Sequence, residues 1–281
     1  METYTSRLKN ELKFKGGLMT DFEGSKSNIL EDLLDTHIHT APDPKPRILS
    51  DVDAANQAKI EGMGAIVLKS HLESTAGRAR IASQVSDFQV IGGVTLNNSV
   101  GGLNPDAVEA AALHGGRIVW MPTINHNQIK LDEEKLISIL NMVRDYDLAL
   151  ATGHLNPEEI FFLLDQARSL QIRKIIVNHP LTRVVGATLE EQKEMSRYAY
   201  LEHCLVACMP LHDGLNPAVI RDVIQEVGAD RCIMATDFGQ VHNPSPVVGM
   251  QMFIRQMMEL GIKWDDIQKM CRENPTKLIL D

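Results

Sequence analysis

From residue 33 to the end of the chain, short apolar runs rich in β-branched residues alternate with longer stretches of helical character. The runs fall at 33–39, 65–70, 90–95, 118–122, 148–153, 174–178, 205–209 and 232–236. Short, near-continuous apolar runs are the pattern of strands buried on both faces. The stretches between them carry helix starts. Ser50 with Asp53 three residues on is a variant of the capping box. Asn104-Pro105, Asn156-Pro157 and Asn216-Pro217 each set an asparagine cap before a proline at the first helical position. Proline has no N–H there to leave unpaired. Gly62 and Gly64 close the first helix.

Successive strand ends lie roughly 25 to 31 residues apart, the spacing of βα units. Alternating β and α predicts a parallel sheet with helices outside, and eight units can close into a barrel of roughly 250 residues. The rival is an open doubly wound sheet, which would carry G-x-G-x-x-G after its first strand. Instead that strand runs into Asp35-Thr36-His37-Ile38-His39 and the prolines Pro42, Pro44 and Pro46. The expectation is an α/β protein with a single (β/α)8 TIM barrel over 31–281, local distortion allowed. A short polar N-terminal arm or extension is expected over 1–30.

Composition adds exclusions. Hydrophobic residues make up 44% and charged residues 23% of the 281, an ordinary globular balance. A net charge of −9 repels phosphate backbones, so no nucleic-acid partner is expected. No apolar stretch reaches the roughly 18 residues of a membrane span, and the first residues lack a secretory apolar core. The four cysteines form no C-x-x-C pair, and Cys204, Cys208 and Cys232 read as small buried hydrophobes. A soluble cytoplasmic protein acting on a small molecule is the expectation. The arm is a candidate for wrapping a neighbouring subunit in a homo-oligomer.

The chemistry sits at strand ends. His37 and His39 are i and i+2 of one strand, so both imidazoles face one side, close enough to share a metal ion. His154 follows the fifth run, His179 the sixth and Asp237 the eighth. Lys69 and His71, again i and i+2, follow the second. Arg47, Arg78 and Arg183 lie in the loops after the first, second and sixth strands, placed to hold an anionic substrate. Asn97, Asn98, His126, His212 and Asp213 lie just past strand ends and are candidates to line a pocket.

This constellation resembles the amidohydrolase superfamily, with H-x-H after the first barrel strand, His after the fifth and sixth, and Asp after the eighth. The ending Glu273-Asn274-Pro275-Thr276-Lys277-Leu278-Ile279-Leu280 also resembles that superfamily's terminal helix. The resemblance implies metal ligation by His37, His39, His154, His179 and Asp237. Asp237 would also carry a proton, and His179 would bind metal or polarise the substrate. Two-metal members carry a Lys or Glu at the end of the fourth strand, where this chain reads Ile118-Val119-Trp120-Met121-Pro122-Thr123. One ion is therefore favoured over two. Zinc is the leading identity, with manganese, iron and cobalt the alternatives. Lys69 is the remaining catalytic candidate, open to carbamylation, to pairing with Asp237 or to binding a substrate carboxylate. His71, Arg47, Arg183 and His212 are the substrate-binding candidates. The activity implied is metal-dependent hydrolysis of an amide, lactone or ester. The alternatives are a decarboxylase or lyase on a small carboxylate, and a silent binding barrel.

Overall fold

A computed structural model describes residues 29–281. Nine strands, all paired in parallel, alternate with helices: β1 (Leu34–Ile38), β2 (Ala65–Leu68), β3 (Val90–Ile91), β4 (Gly93–Thr95), β5 (Ile118–Trp120), β6 (Ala149–Ala151), β7 (Ile175–Asn178), β8 (Tyr200–Cys204) and β9 (Cys232–Ala235). β3 and β4 are two halves of the third barrel strand, so the ladder divides into β1-β2-β3 and β4 through β9. The break falls at Gly92, where a Cβ would come within 2.4 Å of the Thr75 carbonyl oxygen. Closure of the barrel is completed past the strand ends. Asp237 N–H donates to His37 O at 2.8 Å, and His39 N–H to Phe238 O at 2.7 Å.

The helices that cover this barrel begin where the caps were read. α1 (Asp51–Ile60) has the Ser50–Asp53 capping box, α3 (Pro105–Leu113) follows Asn104, α5 (Pro157–Ser169) has an Asn156–Glu159 box, and α7 (Pro217–Val227) follows Asn216. Between them lie α2 (Ala76–Ser86), α4 (Glu133–Asp145) and α6 (Leu189–Met195). α8 (Pro246–Glu259), α9 (Trp264–Gln268) and α10 (Asn274–Ile279) complete the chain. One core layer lies between strands and helices. A second fills the barrel, where Trp120 packs with Ala65, Ala149 and Ala151. Leu278 and Ile279 of α10 join that inner layer.

One correction follows. The seventh strand is β8 at Tyr200–Cys204, not 205–209, whose residues Leu205–Cys208 form a 3-10 turn. The apolar run there is buried without pairing in the ladder. Register also slips in β1, where Asp35 to Ile38 spans Ile66 to Leu68 of β2. Such a bulge re-aims side chains, and it lies on the H-x-H segment. The arm expected over 1–30 lies outside the described residues except for its last two, and Leu30 is already wholly buried in the core. Among the described residues no helix is long and apolar enough to cross a membrane.

Candidate metal centre

Five imidazoles form a closed circuit at the C-terminal end of the barrel strands. Ring centroids are 5.5 Å apart for His37–His39, 4.8 Å for His39–His71, 6.0 Å for His71–His154, 5.0 Å for His154–His179 and 5.9 Å for His179–His37. Asp237 closes the centre, its Oδ1 3.0 Å from His39 Nε2 and 3.3 Å from His37 Nε2. Backbone geometry aims two of these groups. His179 (φ 28°) and Asp237 (φ 54°) both have positive φ, a region His and Asp tolerate better than most residues. Lys69 reaches the floor of the ring, with Nζ 3.1 Å from His37 Nε2 and 5.7 Å from the Trp120 ring centroid.

Tautomers follow from the outer partners. Glu202 accepts from His37 Nδ1 at 3.0 Å, which turns Nε2 towards the centre. Thr182 Oγ1 donates its one proton to the His179 carbonyl at 2.7 Å, so towards His179 Nδ1, 3.0 Å away, it acts as acceptor. His179 Nε2 is thereby left unprotonated. His71 Nδ1 is held 2.8 Å from Thr123 Oγ1, which also accepts from Asn97 Nδ2 at 2.7 Å. Four of the five rings are held uncharged near neutral pH. Burial holds His39 and His179 down to about 4. Burial, then the neighbouring imidazoles, hold His71 and His154 far below their ordinary value. Burial works against ionising Asp237, but His37, His39 and Lys69 outweigh it and keep the carboxyl well below the usual range.

These residues fit a divalent cation. His37 Nε2 and His39 Nε2 converge on Asp237 Oδ1 at 3.3 and 3.0 Å, a nitrogen and oxygen donor set that suits such an ion. The buried His39 Nδ1 has no partner among the described residues, so that ring is oriented by its inner face alone. Metal-bound histidines are held from outside by carboxylates, as Glu202 holds His37. Ligand atoms of His37, Cys204 and Asp237 also lie within 4.8 Å of one another. The Cys204 sulfur, however, lies 3.9 Å from His37 Nδ1, the nitrogen already given to Glu202. Burial pushes its thiol well above its ordinary value, so it is a poor ligand as it stands.

Beyond the ring opens a cavity of about 380 Å³. His39, His71, His154, His179 and Asp237 form its base, and Lys45, Arg47, His212 and Gln240 form part of its wall. Arg183 is 77% exposed, pairs with Asp213 at 2.8 Å and is not among the lining residues. Arg78 bridges Asp51 and Glu73 away from it. Asn97 braces Thr123, and the His126 ring lies 5.8 Å from that of His154. Sequence reasoning missed Glu202, Thr182 and Lys45. A charged residue in the middle of a buried strand was the available signal for Glu202, hidden because the strand was placed five residues late.

On the outer face of β8, His203 is buried and neither ring nitrogen has a partner among the described residues. Burial lowers it to about 4 from its ordinary 6.5, against the opposing pull of Glu202. An unfolded chain takes up this proton near pH 6.5, whereas the folded chain resists until about pH 4. Stability therefore falls as the pH drops through that window, by about 1.4 kcal/mol per unit for this group. His203→Leu is expected to stabilise the fold by about 1 kcal/mol at pH 8. At pH 5 the gain should grow to about 3 kcal/mol. Urea unfolding at both pH values checks this, and equal gains would remove His203 from the acid response.

Solved structures share this parallel barrel fold. A probable 2-pyrone-4,6-dicarboxylic acid hydrolase from Acinetobacter baumannii superposes with a TM-score of 0.64 at 14% identity, covering 88% of this chain and 98% of that one. A Deinococcus radiodurans PTE-like lactonase mutant gives 0.62 at 12% identity, covering 91% and 98%. An enamidase described as a member of the amidohydrolase superfamily gives 0.59 at 13% identity, covering 89% and 67%. The fold is thus the one the sequence resemblance implied. A family model matches residues 32–135 and 126–202, and the chain belongs to that family, DUF6282, described as a family of unknown function. No curated protein sequence matches the chain.

Proposed function

We propose that this protein is a metal-dependent hydrolase of a small-molecule amide, lactone or ester. The observation that carries the reading is the ring of imidazoles closed by one ionised carboxylate. His37, His39, His154, His179 and Asp237 would hold one divalent ion, most simply zinc. Such an ion supplies Lewis acidity and brings the pKa of a water it holds to about 7.

The chain's own groups do the rest. Asp237 is ionised, so it can take the proton of the attacking water and, as a strong acid, hand it to the leaving group. Lys69, the cationic group at the floor of the ring, would steady negative charge developing on the substrate oxygen. Lys69 is wholly enclosed, and burial pulls its pKa down while Asp237 and Glu202 hold it up. The cavity of about 380 Å³ is the size of a small-molecule site. The fold neighbours named hydrolase and lactonase support the reaction class.

Metal analysis tests the reading. Protein purified metal-free and reloaded with zinc is expected to hold about one equivalent, lost in His37→Ala/His39→Ala. About two equivalents would make Lys69 or His71 a ligand of a second ion. No uptake of zinc or manganese would end the metal reading. An ester and lactone panel on the loaded protein tests turnover, and release of CO2 in place of hydrolysis would move the site to the lyases.

A further inference from the structure

We propose that Arg47, assisted by Lys45, is a built carboxylate seat in the cavity wall, so that the substrate is a carboxylic acid bound by its carboxylate while the scissile bond faces the imidazole ring. The inference rests on the hydrolase reading and names its substrate class.

Arg47 is nearly enclosed, its side chain 4% exposed, and its partner Asp43 is equally so. Asp43 Oδ2 accepts from Arg47 Nε at 3.1 Å and Nη2 at 2.8 Å, which uses one edge of the guanidinium. Among the described residues Nη1 has no hydrogen-bond partner, and the residue lines the cavity. Nη1 is not a buried atom without a partner, so this edge is open to the cavity rather than sealed in the protein. An arriving carboxylate would meet it, since its two coplanar oxygens match the free guanidinium edge.

The seat is rigid and registered to the centre. Ile48 N–H donates to Gly239 O at 3.0 Å, and Arg47 pairs antiparallel with Gln240. Gln240 Nε2 in turn donates to Asp237 O at 2.9 Å. Asp43 Oδ1 accepts from Lys45 N–H at 2.8 Å, which fixes the turn carrying both cations. Lys45 also lines the cavity and has no ion-pair partner among the described residues. The acidic groups there are engaged, Asp213 by Arg183 at 2.8 Å and Asp237 by the imidazoles. The unpaired charge of the wall is therefore positive, in a chain of net charge −9.

The test uses the zinc-loaded full chain and calorimetric titration with succinate and glutarate, their uncharged diamides, and inorganic phosphate. The dicarboxylates are expected to bind and the diamides not. Arg47→Gln should weaken dicarboxylate binding about 10- to 100-fold at wild-type zinc content. Arg47→Lys should recover only part of that affinity, because an ammonium cannot offer a planar edge. If Arg47→Gln does not fold, the loss in Arg47→Lys carries the test. Lys45→Gln should reduce binding in a way that fades with added salt. Unchanged affinity in the Arg47 variants, equal binding of the diamides, or no dicarboxylate binding at all would overturn the seat. Phosphate binding more tightly than either dicarboxylate would overturn the carboxylate assignment. Zinc content of the same samples reports separately on the hydrolase reading.

Discussion

Glu202→Gln is expected to destabilise the protein by about 3–5 kcal/mol and to weaken zinc binding about 10- to 100-fold. Glu202 is 1% exposed and takes three donors: Thr36 Oγ1 at 2.6 Å, Asn178 Nδ2 at 2.7 Å and His37 Nδ1 at 3.0 Å. Burial opposes its charge, but His37 and these hydrogen bonds outweigh burial and bring the carboxyl down to about 2. An amide cannot replace it. One end of the glutamine would present N–H groups either to Thr36 or to the His37–Asn178 pair, where acceptors are needed. If the amide donates to His37 Nδ1, the imidazole proton moves to Nε2 and blocks the atom that faces Asp237. Urea unfolding reads the first effect and zinc titration the second. Full zinc affinity in a destabilised variant would confine Glu202 to supporting the fold. By the sign of its shift, its contribution is complete above its ordinary value of 4.5 and is lost as the pH falls through about 2.

The sequence revealed those parts of the site that coincide with hydrophobic punctuation. His37 and His39, His154, His179 and Asp237 each follow an apolar run, and the structure gathers all five. The asparagine–proline helix starts were equally readable, because an N-cap is settled within three residues. β8 was not. Its residues Tyr-Leu-Glu-His-Cys are less apolar than the Leu-Val-Ala-Cys that follows, so hydropathy favoured the wrong segment. The burial of Glu202 is compensated by Thr36, 166 residues away, which no local pattern records. The arginines differ for a similar reason. Arg47 and Arg183 look alike in sequence, yet one is enclosed beside Asp43 and the other extends into solvent beside Asp213, a difference fixed by loop conformation.

The barrel seam where β1 meets the residues after β9 is the point of greatest steric demand near the site. Gly239→Ala is expected to cost about 3–5 kcal/mol, combining backbone strain with overpacking. Gly239 has φ +138°, and a Cβ there would lie 1.8 Å from the His39 carbonyl oxygen and 2.6 Å from its carbon. Neither neighbour is a flexible side-chain end. His39 N–H is tied to Phe238 O at 2.7 Å, and Gly239 O receives Ile48 N–H at 3.0 Å, so both strands of the seam are pinned. Relief requires His39 to move away from Asp237, breaking the 3.0 Å approach that defines the centre. Stability and zinc affinity should therefore fall together. Gly214→Ala is the control: φ is +61°, but nothing lies within 4 Å of its would-be Cβ, so only backbone strain of about 1–2 kcal/mol applies and the metal site is untouched. Urea midpoints and zinc titrations of the two variants separate the cases. If Gly239→Ala unfolds no more readily than Gly214→Ala and binds zinc as the wild type does, the seam yields without disturbing His39, and the geometry of the centre does not depend on how tightly the barrel closes.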